Sequence, residues 1–312
     1  MASFIQKLET YPVGICGASL AFITLSNCWS INGISFLKPL ALIVAIIAVL
    51  VKILRIISHH ETIWSELKDP ILGSLYPTID MVVFLIAASL LKSTPTFAKI
   101  LWLSCIIFHG IIFILFIYLR SKDFNFKDMV PSWFVVFIGV AVGTVSSTGM
   151  GFPNIAKALF YFGFFWYTVM WPLMLYRIIK YPLNDNQLTS IGIMGAPASL
   201  CLVAYLTAFQ SYNSVIIIFL TLTSIFNICI VYSKLPNLLK KEFIPGHAAL
   251  TFPLAISILA MYKMYNYART TGFVFSEIFK IIGDIQIIVG TYVILYVLYN
   301  FGKRFFFRLR EI

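Results

Sequence analysis

Apolar residues in this chain fall into long uninterrupted runs separated by short polar stretches. The runs cover roughly 11–29, 36–57, 70–91, 97–119, 129–150, 153–178, 188–209, 212–233, 244–265 and 278–301. About twenty apolar residues are what an α-helix needs to cross the hydrocarbon of a bilayer. The pattern therefore predicts ten transmembrane helices. The longest polar stretches, HHETIWSELKD (59–69), RSKDFNFKD (120–128) and SKLPNLLKKE (233–242), are too short to fold as domains. Residues 1–312 thus read as one transmembrane domain.

The runs are of two kinds. Odd-numbered runs carry a recurrent proline: Pro12, Pro77, Pro131, Pro197 and Pro253. They are also rich in small residues, as in YPVGICGASLAF, PSWFVVFIGVAVGTVSSTG and GIMGAPASLCLVAYL. Even-numbered runs such as LALIVAIIAVLV (40–51) and IIFILFIYL (111–119) are greasy throughout, and Pro172 is the exception, a proline deep inside such a run. A helix that is apolar all round suits lipid. A proline frees backbone groups, which lipid tolerates only where protein or a water-filled cavity satisfies them. The expectation is an all-α membrane fold of five helical hairpins around a central pore. The odd-numbered helices would lie inside, kinked at proline, with the even-numbered ones outside. Two blander readings compete: ordinary enrichment of proline in transmembrane helices, and close packing of helices through small residues.

Composition agrees with a membrane protein. Hydrophobic residues make up 60% and charged residues 11% of the chain. Mean hydropathy is +0.93. A soluble surface needs about 25% charged residues. The first run is long enough to span and lacks a cleavage pattern, so no cleaved signal peptide is expected. The net charge of +11 does not indicate nucleic acid, because the basic residues sit at the ends of apolar runs. Of the 23 Lys and Arg residues, 16 fall on the side of the termini and 7 on the other. The positive-inside rule then places both termini in the cytoplasm, in a plasma or inner membrane. The tail KRFFFRLR fits an interfacial anchor. The five cysteines lie in apolar runs without CxxC spacing, and no disulfide is expected.

Little in the sequence suggests catalysis. HHETIW lacks the spacing of a zinc hydrolase, TGMGF (148–152) is a turn between runs, and no Ser-His-Asp set emerges. No enzyme activity, cofactor or metal is expected. Two acids fall within predicted spans. Asp284 is expected near an interface, paired with Lys280 one turn earlier. Asp80 lies in an inner run three residues after Pro77 and has two readings, a proton carrier or a partner for backbone freed by the proline. His109, in an outer run, reads as a buried histidine bonded to a neighbour. The hydroxyls of Thr144, Ser146, Ser147 and Ser199 are candidates to line a path.

Five segments carry a resemblance: PVGICG (12–17), YPTIDM (76–81), PSWFVVFIGVAVG (131–143), APASLCLVAYL (196–206) and ALTFPLAISILA (249–260). On these the chain resembles the tellurite-resistance/dicarboxylate transporter family. That family contains TehA-like bacterial proteins, yeast malate and sulfite transporters and the plant guard-cell slow anion channel. The resemblance implies five helical hairpins around one pore per protomer, assembly as a homotrimer, and a phenylalanine of the ninth helix plugging the pore. Here the matching segment is TFP, so the gate falls on Phe252 beside Pro253. The competing reading of Phe252 is an ordinary core residue. The implied function is an anion channel or transporter for small inorganic or organic anions. A proton-coupled dicarboxylate or sulfite carrier using Asp80, and a non-transporting membrane receptor or scaffold, stay open beside it.

Overall fold

The computed structural model describes the backbone of residues 2–310 and the side chains of residues 5–305. The side chains of 306–310, in the tail expected to anchor at the interface, lie outside the described residues. Among the described residues the fold is entirely helical. Among these described residues nine helices are long and apolar enough to cross a membrane: Gly14–Ile31, Leu37–Ser58, Leu72–Leu90, Pro95–Lys122, Pro153–Lys180, Leu188–Ala208, Ser214–Leu239, Pro245–Thr270 and Ser276–Phe305. The protein is a multi-pass membrane protein. The fifth expected span differs, being two short helices, Trp133–Ile138 and Ala141–Val145, broken at Gly139 and Val140. The stretch follows Pro131, and at the break the Val142 and Gly143 N–H groups bond to carbonyls three residues back, those of Gly139 and Val140. Numbered with that broken segment as the fifth, the other nine are the first to fourth and sixth to tenth spans.

Burial alternates along the chain. In the first, third, seventh and ninth spans 72%, 72%, 89% and 78% of the apolar window is buried, against 28–44% in the even-numbered spans. The difference sorts the helices into an inner and an outer set. The inner elements pack on one another in a closed ring: first on third, third on Ala141–Val145, that helix on seventh, seventh on ninth, and ninth back on first. Each outer helix packs on the inner element that precedes it in sequence. Its opposite face presents residues such as Ile43, Ile47, Ile107, Ile114, Ile218 and Ile288 to the surroundings, which suits lipid.

The polar stretches are more structured than the sequence suggests. Residues 59–69 contain the 3₁₀ turn His60–Thr62 and the helix Ile63–Lys68. The eighth span runs on through Pro236 to Leu239. The TGMGF turn holds Gly149 and Gly151 at φ 81° and 85°, a left-handed conformation that glycine adopts without a Cβ clash. Asp284 lies 3.2 Å from Lys280 and accepts a hydrogen bond from the Tyr262 hydroxyl at 2.9 Å.

Candidate functional site

The inner elements owe their irregularity to where their prolines fall. The third span begins as the turn Leu72–Leu75 and becomes a regular helix at Thr78, directly after Pro77. The seventh starts as the 3₁₀ stretch Leu188–Gly195, and its α-helix begins at Pro197. The ninth starts as Pro245–Leu250 in 3₁₀ form, and its α-helix begins at Thr251, with Pro253 in the first turn. A proline there removes an N–H that has no partner inside the helix anyway. The prolines thus mark helix starts inside the bundle, where the sequence predicted kinks in continuous helices.

A cavity of about 430 Å³ occupies one half of the ring. All five inner segments line it, and each does so with its N-terminal half. The last lining residue along each is Leu20, Met81, Gly139, Leu200 and Pro253. The cavity therefore ends near mid-bundle, where the α-helices of the third, seventh and ninth spans begin. Phe252 sits at that end, 8% exposed and lining the cavity. The closed end of the cavity is ringed by apolar side chains and lies beside the starts of three inner α-helices.

Of the other residues singled out from sequence, Pro12, Pro197 and Pro253 line the cavity, whereas Pro77 and Pro131 stand beside the lining residues Thr78 and Ser132. The four candidate hydroxyls lie outside the lining. Thr144 donates to the Ala156 carbonyl at 2.8 Å. Ser146 donates to Val142 or Gly143 and accepts from the Trp102 indole at 3.1 Å. Ser147 donates to Thr144, and Ser199 to Gly195 while facing Ser224 at 2.7 Å. These hydroxyls satisfy helix carbonyls and join helices. Among the glycines, Gly14, Gly17 and Gly139 line the cavity, whereas Gly143 and Gly195 are contact points, with side chains of Leu159 and Ile228 within 2.9 Å of where a Cβ would stand.

Asp80 also lies outside the lining. It is 3% exposed and bonded to His109, not to backbone freed by Pro77. Its neighbours Met81 and Gly139 face the cavity, so the Asp80–His109 pair stands directly behind the cavity's closed end.

One charged cluster escaped the sequence reading. Lys52 and Arg55 project inward from the second span, 1% and 2% exposed. Arg55 forms a two-pronged ion pair with Glu66 of the helix Ile63–Lys68, with Nη1 at 3.1 Å from Oε2 and Nη2 against Oε1. It also donates through Nε to the Glu9 carbonyl at 3.2 Å. The Tyr76 hydroxyl donates to the same carboxylate. Lys52 and Glu66 both line the cavity. The only sequence signal was a pair of basic residues one turn apart near a helix end, which topology alone explains. Among the described residues no group of three His, Cys, Asp or Glu could hold a metal ion.

The family model for the voltage-dependent anion channel (SLAC1) matches residues 10–301, nearly the whole chain. An uncharacterized transporter of Methanocaldococcus jannaschii is 24% identical over 168 residues, 49% of this chain and 49% of that protein. The chain thus spans about half the length of the curated relative it matches.

Proposed function

The chain belongs to the voltage-dependent anion channel family, and from that premise we propose that it passes small inorganic or organic anions along a path of which the cavity is the open half and Phe252 the gate. The observation that carries this reading is the coincidence of the cavity's closed end with the starts of the inner α-helices. Helix N-termini favour anions without a dense set of fixed charges. An apolar constriction blocks ions by staying dry, and a phenyl ring at the closed end supplies one. In this reading Trp133–Ile138 and Ala141–Val145 together make the fifth of ten crossings, and the crossings pair as five hairpins. Three protomers assemble, each with its own path, and the cavity opens to the cytoplasm together with both termini.

Flux from liposomes tests the proposal, with chloride, nitrate, malate and sulfite as the anions and protein-free liposomes as the control. Phe252→Ala is expected to pass at least one of the four above that control. No flux of any of them through the folded variant would refute the reading.

A second reading, a proton-coupled carboxylate or sulfite carrier, draws on the Asp80–His109 pair. The pair holds a transferable proton immediately behind the closed end. Uphill uptake driven by a pH gradient, lost on Asp80→Asn, would favour it over a channel.

A further inference from the structure

Lys52 is a buried cation with no ion-pair partner of its own among the described residues. It is 1% exposed, although it belongs to an outer helix with only a third of its window buried. The neighbouring carboxylate is already engaged, because Glu66 receives both prongs of Arg55 and the Tyr76 hydroxyl. Among the described residues the Lys52 ammonium has no ion pair and no hydrogen bond. It stands over the face of Tyr76, 5.4 Å from the ring centroid, between the opposed fields of Arg55 and Glu66. Such a contact orients an ammonium but leaves its three N–H donors without acceptors. The side chain lines the cavity. A second unspent donor lines the same space, the Thr189 hydroxyl, for which no acceptor is present among the described residues.

We propose that Lys52 is the fixed cation of an anion-binding site in the cavity, and that the site takes a monovalent anion in preference to a dianion. The preference follows from counting charge. Arg55 and Glu66 neutralise each other as an ion pair, and the Glu9 carboxylate belongs to an exposed residue at the rim, which leaves Lys52 as the single unmatched buried charge in a largely apolar chamber. One monovalent anion brings the chamber to neutrality. A dianion leaves one negative charge desolvated with no partner, the arrangement that interiors penalise most. The position also explains why a lysine is drawn inward from a lipid-facing helix: lysine is a compact point charge on a flexible stem and serves an anion of any shape. The inference deepens the proposed anion path and rests on it for its transport consequences, while binding is measured apart from transport.

The test uses the full chain purified in detergent, with wild type, Lys52→Met, Lys52→Arg and Phe252→Ala. Nitrate is the monovalent probe and sulfate the divalent one, at matched ionic strength. Nitrate is expected to raise the melting temperature saturably in wild type and Lys52→Arg, and not in Lys52→Met. Sulfate is expected to bind wild type about tenfold more weakly or worse, a difference of one decade in Kd. In liposomes, adding Lys52→Met to Phe252→Ala is expected to lower nitrate flux at sub-saturating concentration by about tenfold, following the lost affinity. If Lys52→Met is not monodisperse, Lys52→Gln replaces it in both arms. Equal nitrate shifts in wild type and the uncharged variant, or sulfate binding as tight as nitrate, overturn the proposal. A failed transport reading gives a different result: Lys52-dependent nitrate shifts with no flux through Phe252→Ala, which keeps the site and removes the path.

Discussion

His109 of the fourth span lies 2.7 Å from the carboxylate of Asp80 in the third, and its second ring nitrogen lies 3.0 Å from the carbonyl of Val136 in the broken fifth segment. The Val136 carbonyl can only accept, so Nε2 carries a proton and donates it. One further proton is then shared between Nδ1 and Asp80 Oδ2. Whether the pair is written as imidazolium and carboxylate or as two neutral groups, its net charge is zero, and a neutral pair can be buried in a membrane without a third partner. The two bonds join an inner helix, an outer helix and the broken fifth segment. Asp80 Oδ1 has no partner among the described residues.

Stability should therefore depend on whether residue 80 can still bond the imidazole. Asn at this position donates from its amide to Nδ1 and keeps the link. Leu leaves a buried histidine nitrogen facing a methyl group. Breaking a buried pair by removing one partner costs about 3–5 kcal/mol. The expected order of melting temperatures in detergent is wild type, then Asp80→Asn, then Asp80→Leu well below both. Equal melting of the Asn and Leu variants would show that the 2.7 Å contact contributes nothing.

Transport by Asp80→Asn is a separate matter. The carboxylate is screened from the cavity by Met81 and Gly139, so downhill anion flux through Phe252→Ala should persist within about twofold when Asp80→Asn is added, as for a residue outside the path. The check is the initial rate of nitrate efflux at two values of pH. Loss of flux in a folded double variant would place Asp80 in the path itself.

Much of the architecture was legible because lipid enforces it. Runs of apolar residues announced the spans, and the contrast between greasy and proline-bearing runs anticipated the alternation of burial. The ring position of the 249–260 segment followed from the same contrast. What a proline does inside a run was less legible. Pro197 and Pro253 are compatible with a kink or with a helix start, and only the 3₁₀ stretches before them decide. Hydroxyl direction was illegible for a similar reason. Ser146 and Ser199 sit in inner elements, yet their side chains turn to carbonyls of the preceding turn, a choice made by local geometry that residue type does not reveal. Lys52 was hidden by its surroundings in sequence, since a lysine near a helix end reads as topology until Glu66 is seen to be taken by Arg55.

Two glycines that both face the cavity should respond in opposite ways to a methyl group. Gly17 is helical and has only the Thr78 methyl nearby, 3.8 Å from where a Cβ would stand. Gly17→Ala is expected to raise stability by up to about 1 kcal/mol, the helix preference of alanine over glycine. At Gly139 a Cβ would stand 2.3 Å from the Val135 carbonyl oxygen and 2.8 Å from Met81 Sδ. The carbonyl belongs to backbone and cannot rotate aside, so Gly139→Ala should destabilise and disturb the cavity's closed end. Thermal melts of both variants check the opposite signs. A neutral Gly139→Ala would mean that the break between the two short helices is softer than its contacts indicate.

Phe252 supplies the sharpest test, because the gate and the core residue differ in two measurable quantities at once. A phenylalanine packed on all sides costs about 3–5 kcal/mol to truncate, since the hole it leaves stays unfilled. Phe252 packs against the core but has the cavity along part of its ring, so fewer contacts are lost and water can enter the vacated space. Phe252→Ala should therefore melt closer to wild type than truncation of Phe84, which is 0% exposed and lies against Trp102 at 5.8 Å between ring centroids. Anion current in planar bilayers should rise at the same time, because the constriction both widens and wets. Phe252→Leu, which keeps an apolar plug of smaller reach, should give an intermediate current. A variant that loses as much stability as Phe84→Ala and carries no added current would identify Phe252 as core, and the path would have to close elsewhere among Leu20, Met81 and Leu200.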